Sequence, residues 1–177
     1  MPLNNVQLST TLKAEQTGAA ATPDLGTLTQ VTHQLLIPAT VDLINGTGAG
    51  AVDVLYSDTN TLAASATIDI DLSGALANAI GGTSVFARVK GLYIKASAAN
   101  TNNVVVGAAA ATQWLTLIGT ATGTVILRPG AFMMVAAGVA DATGYTVTAA
   151  TADLLRIANS GAGTSVTYDI VILGCSA

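Results

Sequence analysis

The chain has 177 residues, 51% apolar, 9% charged and 4% aromatic, with a formal net charge of −4. That length fits one domain with a real core, and the acidic balance gives no support to nucleic-acid binding. Ordinary soluble proteins are roughly 25% charged, so Thr, Ser, Asn, Gly and Ala must supply most of this surface, which points to a surface covered by neighbours in an oligomer or larger assembly.

Residues 1–29 carry little periodicity and include the small, flexible run Gly18-Ala19-Ala20-Ala21-Thr22-Pro23. They read as an extended N-terminal arm without a fold of its own, ahead of a domain over residues 30–177. Gln30–Ile37 reads as the first strand, stopped by Pro38, and Thr40–Ile44 as the second. The glycine-rich Asn45–Gly50 reads as a hairpin loop into a strand over Ala51–Tyr56. In Ala66–Leu72 the alternation is clean, with Ile68, Ile70 and Leu72 inward and Thr67, Asp69 and Asp71 outward.

One short helix is expected over residues 73–80. Ser73 suits an N-cap, Leu72, Ala75, Leu76, Ala79 and Ile80 form a stripe at helical spacing, and Gly81-Gly82 supplies a stop. A dense series of short strands follows: Val85–Lys95, Val104–Val106, Trp114–Ile118, Thr124–Arg128, Phe132–Ala136, Tyr145–Thr148, Asp153–Ile157 and Ser165–Leu173. In the first of these the inward phase slips by one residue at Gly91, the mark of a β-bulge. Turns fall at Asn102-Asn103, Pro129-Gly130 and Asn159–Gly163. The pattern predicts an all-β, jelly-roll-like sandwich.

Candidate chemistry is thin. His33 is the only histidine and Cys175 the only cysteine. No intrachain disulfide exists, and a triad would have to pass through a histidine in the middle of a strand. Asn45–Gly50 lacks both the spacing and the following helix of a dinucleotide loop. Asp69 and Asp71 share a strand face but have no calcium-loop pattern around them, and Asp58 with Asn60 makes a weaker oxygen cluster. No catalytic residue, metal or cofactor is expected. Trp114 is the one candidate binding residue, since an aromatic face can stack on a sugar ring, although Leu115, Leu117 and Ile118 beside it favour a core or interface anchor. The N-terminus shows no signal-peptide pattern, and Ala131–Ala140 is too short to span a bilayer, so no membrane partner is expected.

The second half also carries a recognisable series. Arg128-Pro129-Gly130 turns into Phe132–Ala136. Ala152-Asp153-Leu154-Leu155-Arg156-Ile157-Ala158-Asn159-Ser160 follows, and Val166-Thr167-Tyr168-Asp169-Ile170-Val171-Ile172 closes the chain. The series, over roughly residues 85–174, resembles small jelly-roll structural proteins of tailed bacteriophages that decorate capsids, commonly as trimers. The resemblance implies no active site. It implies a virion location on the capsid surface, with other copies of the chain and the major capsid protein as partners, and a receptor- or glycan-binding module of a tail fibre or baseplate as the alternative.

Overall fold

A computed structural model of the chain describes residues 3–22 and 26–177, with side chains from 3 to 18 and from 32 onward. Strands β1 (Val6–Thr22) and β2 (Gly26–Asn45) pair with each other, and β3 (Ala51–Val52) adds to the end of β2. The remaining strands are β4 (Val54–Leu62), β5 (Thr67–Asp71), β6 (Leu76–Ala77), β7 (Thr83–Ser84), β8 (Arg88–Ala96), β9 (Val104–Gly107), β10 (Thr124–Leu127), β11 (Phe132–Ala136), β12 (Tyr145–Thr146), β13 (Leu154–Asn159) and β14 (Val166–Cys175). A single helical turn, α1, covers Leu115–Ile118. Two units emerge: Gln7–Val41, and Asp42–Ala177 together with the first six residues.

In the larger unit, eight strands set out two antiparallel sheets with orders β11-β8-β14-β4 and β10-β9-β13-β5, and the two-residue β12 adds to the first by pairing with β8. Counted along the chain, the first, eighth, third and sixth of these strands share one sheet. The second, seventh, fourth and fifth share the other. That interleaving is the double Greek key of a jelly roll, so the expected fold class holds. The inner faces alternate as the sequence predicts. Val166, Tyr168, Ile170 and Ile172 of β14 are buried with Leu92 and Ile94 of β8, and Val104, Val106, Leu155, Ile157 and Ile70 come from the second sheet. Each fully buried Ile or Val contributes about 1.5–3 kcal/mol of transfer free energy.

The phase slip near Gly91 is a bulge. Leu173 pairs with Gly91 while Gly174 pairs with Val89, so Lys90 is the extra residue of β8. The bulge carries Lys90 off the ladder, and its buried side chain donates from Nζ to the Asp141 carbonyl. Asp141 in turn accepts from the Thr143 and Gly144 amides at 2.8 and 2.9 Å. The residues between β11 and β12 are thereby fastened to β8.

Several expectations need correction. No helix forms over residues 73–80. Asp71 Oδ1 instead accepts from the Ser73 amide at 3.0 Å and the Gly74 amide at 2.8 Å, making a turn, and β6 and β7 pair as a minimal hairpin. Asn78 Oδ1 closes that hairpin by accepting from the Gly82 amide at 2.9 Å. Asp and Asn offer the backbone these local alternatives to a helix, and eight residues are too few for a helix to outweigh them. The helix sits at Leu115–Ile118, where a strand is expected. Trp114 is anchored in the core, and Gly119 takes the left-handed conformation (φ 81°) that ends the turn. Finally, Asn45–Gly50 does not make a hairpin: β3 runs parallel to β2, with Ile44 opposite Ala51 and Asn45 opposite Val52.

The arm expected over residues 1–29 is strand-forming. β1 occupies most of it, and the expected boundary at Thr29 falls inside β2. β2 also runs straight through Pro38. The separate unit extends to Val41. Residues 1, 2 and 23–25 lie outside the described residues.

Candidate assembly surfaces

The polar residues of the C-terminal series are engaged in holding the fold. Asp153 is buried, and its Oδ2 accepts from the Ala150 amide at 2.5 Å and from Ser73 Oγ at 3.0 Å. Burial pushes the Asp153 carboxyl up, but these donors together with Thr112 outweigh it and hold the group below the usual carboxylate range. Buried Asn159 donates to the Ala63 and Thr164 carbonyls at 2.9 and 2.8 Å, and its Oδ1 accepts from Asn102 at 3.0 Å. It ties three turns together. Tyr168 is buried, with a hydroxyl that finds no partner among the described residues, and burial raises its pKa. Asp169 accepts from Thr59 Oγ1 at 2.7 Å across the strand pair.

The other candidates resolve in the same way. Arg156 grips Asp69 with both branches, Nε to Oδ1 at 2.7 Å and Nη2 to Oδ2 at 2.8 Å. Asp71 is held through Oδ1, which closes its turn and also accepts from Ser73 Oγ at 2.9 Å. Asp58 accepts from the Thr59 amide at 2.8 Å, from Asn60 at 2.7 Å and from the Tyr56 hydroxyl at 3.2 Å. Burial, and then the charge of Asp58, push the Tyr56 hydroxyl up to about 12. Cys175 is buried, its Sγ 3.3 Å from the Ala51 carbonyl oxygen, and burial pushes its thiol pKa up. His33 is exposed on β2. If this account of the carboxylates holds, EDTA should leave the melting temperature unchanged, because a site that binds no ion adds nothing by linkage. A fall of many degrees, read by calorimetry with and without chelator, would show that Asp69 or Asp71 ligates a metal.

Trp114 is 1% exposed. Its Nε1 donates to the Thr146 carbonyl at 2.9 Å, and its ring meets Tyr145 edge-on at 6.2 Å. It is the core anchor, and no face of the indole is open for a sugar ring. A cleft of about 160 Å³ is lined by Leu3, Leu55, Ser57, Asn78 and Ile80 among others. That is smaller than the roughly 300 Å³ at which small-molecule sites begin. Its one charged neighbour, Asp53, accepts from the Ser176 amide at 2.8 Å.

Two broad surfaces remain. One is the outer face of the β11-β8-β14-β4 sheet. Met134, Tyr93, Val171 and Ser57 align across it in one row, and Phe132, Lys95, Asp169 and Thr59 in the next. Phe132 is 57% exposed and lies against Tyr93 with ring centroids 6.0 Å apart. Tyr93 falls on the outward phase of its strand in the sequence, whereas Phe132–Ala136, apolar on both faces, reads as buried on both, and the structure leaves that strand's outer side uncovered. The other surface is the β1–β2 ribbon, where every described side chain in 9–18 and 32–40 is exposed. Among the described residues, no helix is long and apolar enough to cross a membrane. No protein-family model, curated protein or solved structure matches the chain.

Proposed function

We propose that this protein is a non-enzymatic structural component of a phage virion, a capsid decoration protein that binds the assembled head shell and stabilises it. One observation carries the reading above the others. A unit of 35 residues, Gln7–Val41, forms a two-stranded ribbon whose described side chains are almost all exposed. A lone two-stranded hairpin is marginal in water, so such a ribbon gains its stability from surfaces that other chains supply. The jelly-roll sandwich supports the same reading, because its polar motif residues brace turns and its outer sheet face is broad and poor in charge. Fold alone would not decide function. The glycan-binding alternative rests on an exposed Trp114, and that side chain is buried.

The mechanism is mechanical. A protein that binds only the assembled shell stabilises it by RT ln(1 + [L]/Kd), about 2.7 kcal/mol per site at a hundredfold excess over Kd. Sedimentation of the full chain with undecorated capsids tests this. Saturable co-sedimentation together with a raised shell melting temperature is expected. A chain that stays in the supernatant at micromolar concentration would contradict it.

A further inference from the structure

The outer face of the β11-β8-β14-β4 sheet is divided into two unlike halves. Phe132 and Met134 of β11, with Tyr93 and Lys95 of β8, make a half of long side chains. Val171 and Asp169 of β14, with Ser57 and Thr59 of β4, make a half of short ones. Phe132 stands out from the first half at 57% exposed, and an open depression lies in the second, lined by Ser57, Thr59, Asp169 and Val171. Charge divides the same way. The long half carries Lys95 and the short half Asp169, both exposed, and although the two are register partners no ion pair joins them.

We infer that this sheet face packs against the same face of a second copy of the chain, about a two-fold axis that runs along the strands midway between β8 and β14. That rotation lays β8 over the partner's β14 and β11 over the partner's β4, and it keeps each row opposite the same row. Lys95 then faces the partner's Asp169, and Tyr93 the partner's Val171. Met134 faces the partner's Ser57, and Phe132 the partner's Thr59, above the depression. Each long side chain meets a short one, as facing sheets need in order to interdigitate. The cation meets the anion, twice over by symmetry. A second copy is the occupant these observations select, because the shape and the charge that complement this face in the same register are its own. From Thr61 to Leu55 on β4 the face spans four rows. At about 4.8 Å between strands and about 6.7 Å between rows, its footprint is roughly 500 Å² per copy and roughly 1,000 Å² for the pair, the lower bound of a specific interface, so the dimer depends on concentration. The inference goes beyond the proposed function by naming the face and its partner, and it does not depend on what the assembled protein decorates.

The test is sedimentation equilibrium of the purified full chain, at micromolar to near-millimolar concentration, beside K95D, K95D/D169K and I126K. The wild type should dimerise. K95D sets a carboxylate against the partner's Asp169 and should weaken dimerisation by about 10-fold or more, the effect of facing like charges. The double exchange K95D/D169K restores opposite charges and should return association to within about threefold of the wild type, as coupled sites in a mutant cycle do. I126K charges the outer face of the other sheet, where Ile126 is 59% exposed, and should leave association unchanged. A wild type that stays monomeric or forms a trimer overturns the inference even if it binds capsids. A double exchange as weak as K95D overturns it too, and so does an I126K that weakens association equally. Should a charge variant fail to fold, oxidation of F132C/T59C decides. Within one chain these positions lie three strands apart, about 14 Å, which is beyond the reach of a disulfide, so the bond can form only between copies. A covalent dimer is expected that F132C alone and T59C alone do not give, and equal yields from the three would contradict the proposed face.

Discussion

Replacing Trp114 by alanine should cost about 3–5 kcal/mol of folding stability, the range for removing a large buried aromatic. The indole is almost wholly buried, meets Tyr145 edge-on and donates to the Thr146 carbonyl. Truncation would leave a cavity between α1 and β12, and the Thr146 carbonyl would keep only Thr116 Oγ1, at 3.0 Å, of its two side-chain donors. Trp114→Phe should recover much of the loss by refilling the space without the donor. Urea unfolding, with the midpoint and slope compared across the three proteins, makes the measurement. A Trp114→Ala cost under about 1 kcal/mol would be that of a surface residue and would reopen Trp114 as a binding platform.

The second large effect is expected at Gly174→Ala. A β-carbon there would lie 2.1 Å from the Arg88 carbonyl oxygen and 2.7 Å from Phe86 Cδ1. The first neighbour is backbone in the adjoining strand, so no side-chain rotation relieves the clash. β14 and β8 approach this closely because the ladder changes register between Leu173 and Gly174, at the Lys90 bulge. Separating them would break the central pairing of the sheet, and a loss of about 3 kcal/mol or more is expected. Gly138→Ala, where the added carbon meets nothing within 4 Å, should fall within about 0.5 kcal/mol of wild type and serves as the control. Thermal melts of the two variants side by side would contradict the account if they coincided.

Much of the sandwich was legible because its code is local. Ile68 and Ile70, the slip at Gly91, and the alternation of Val166, Tyr168, Ile170 and Ile172 each reflect a period of two with one face buried, and the structure follows them. The errors arise where tertiary contacts or side-chain hydrogen bonds override the pattern. Leu115-Thr116-Leu117-Ile118 has strand composition but folds as a helical turn beside the anchored Trp114. The stripe from Leu72 to Ile80 has helical spacing, yet Asp71 and Asn78 capture its amides and Ile80 remains exposed. β1 escaped for a different reason. Thr, Gln and Ala in residues 7–18 give little contrast between faces when β1 is read alone. The candidate surfaces were the least legible of all, because an assembly face poor in charge has no motif and differs from a core strand only in being uncovered.

Quantitative mass spectrometry of purified virions, produced from the genome that encodes this chain, tests the central claim most directly. The account predicts the chain in fixed stoichiometry with the major capsid protein, at the many copies a shell lattice demands. Absence from the particle, or a handful of copies that fractionate with tails, would contradict it.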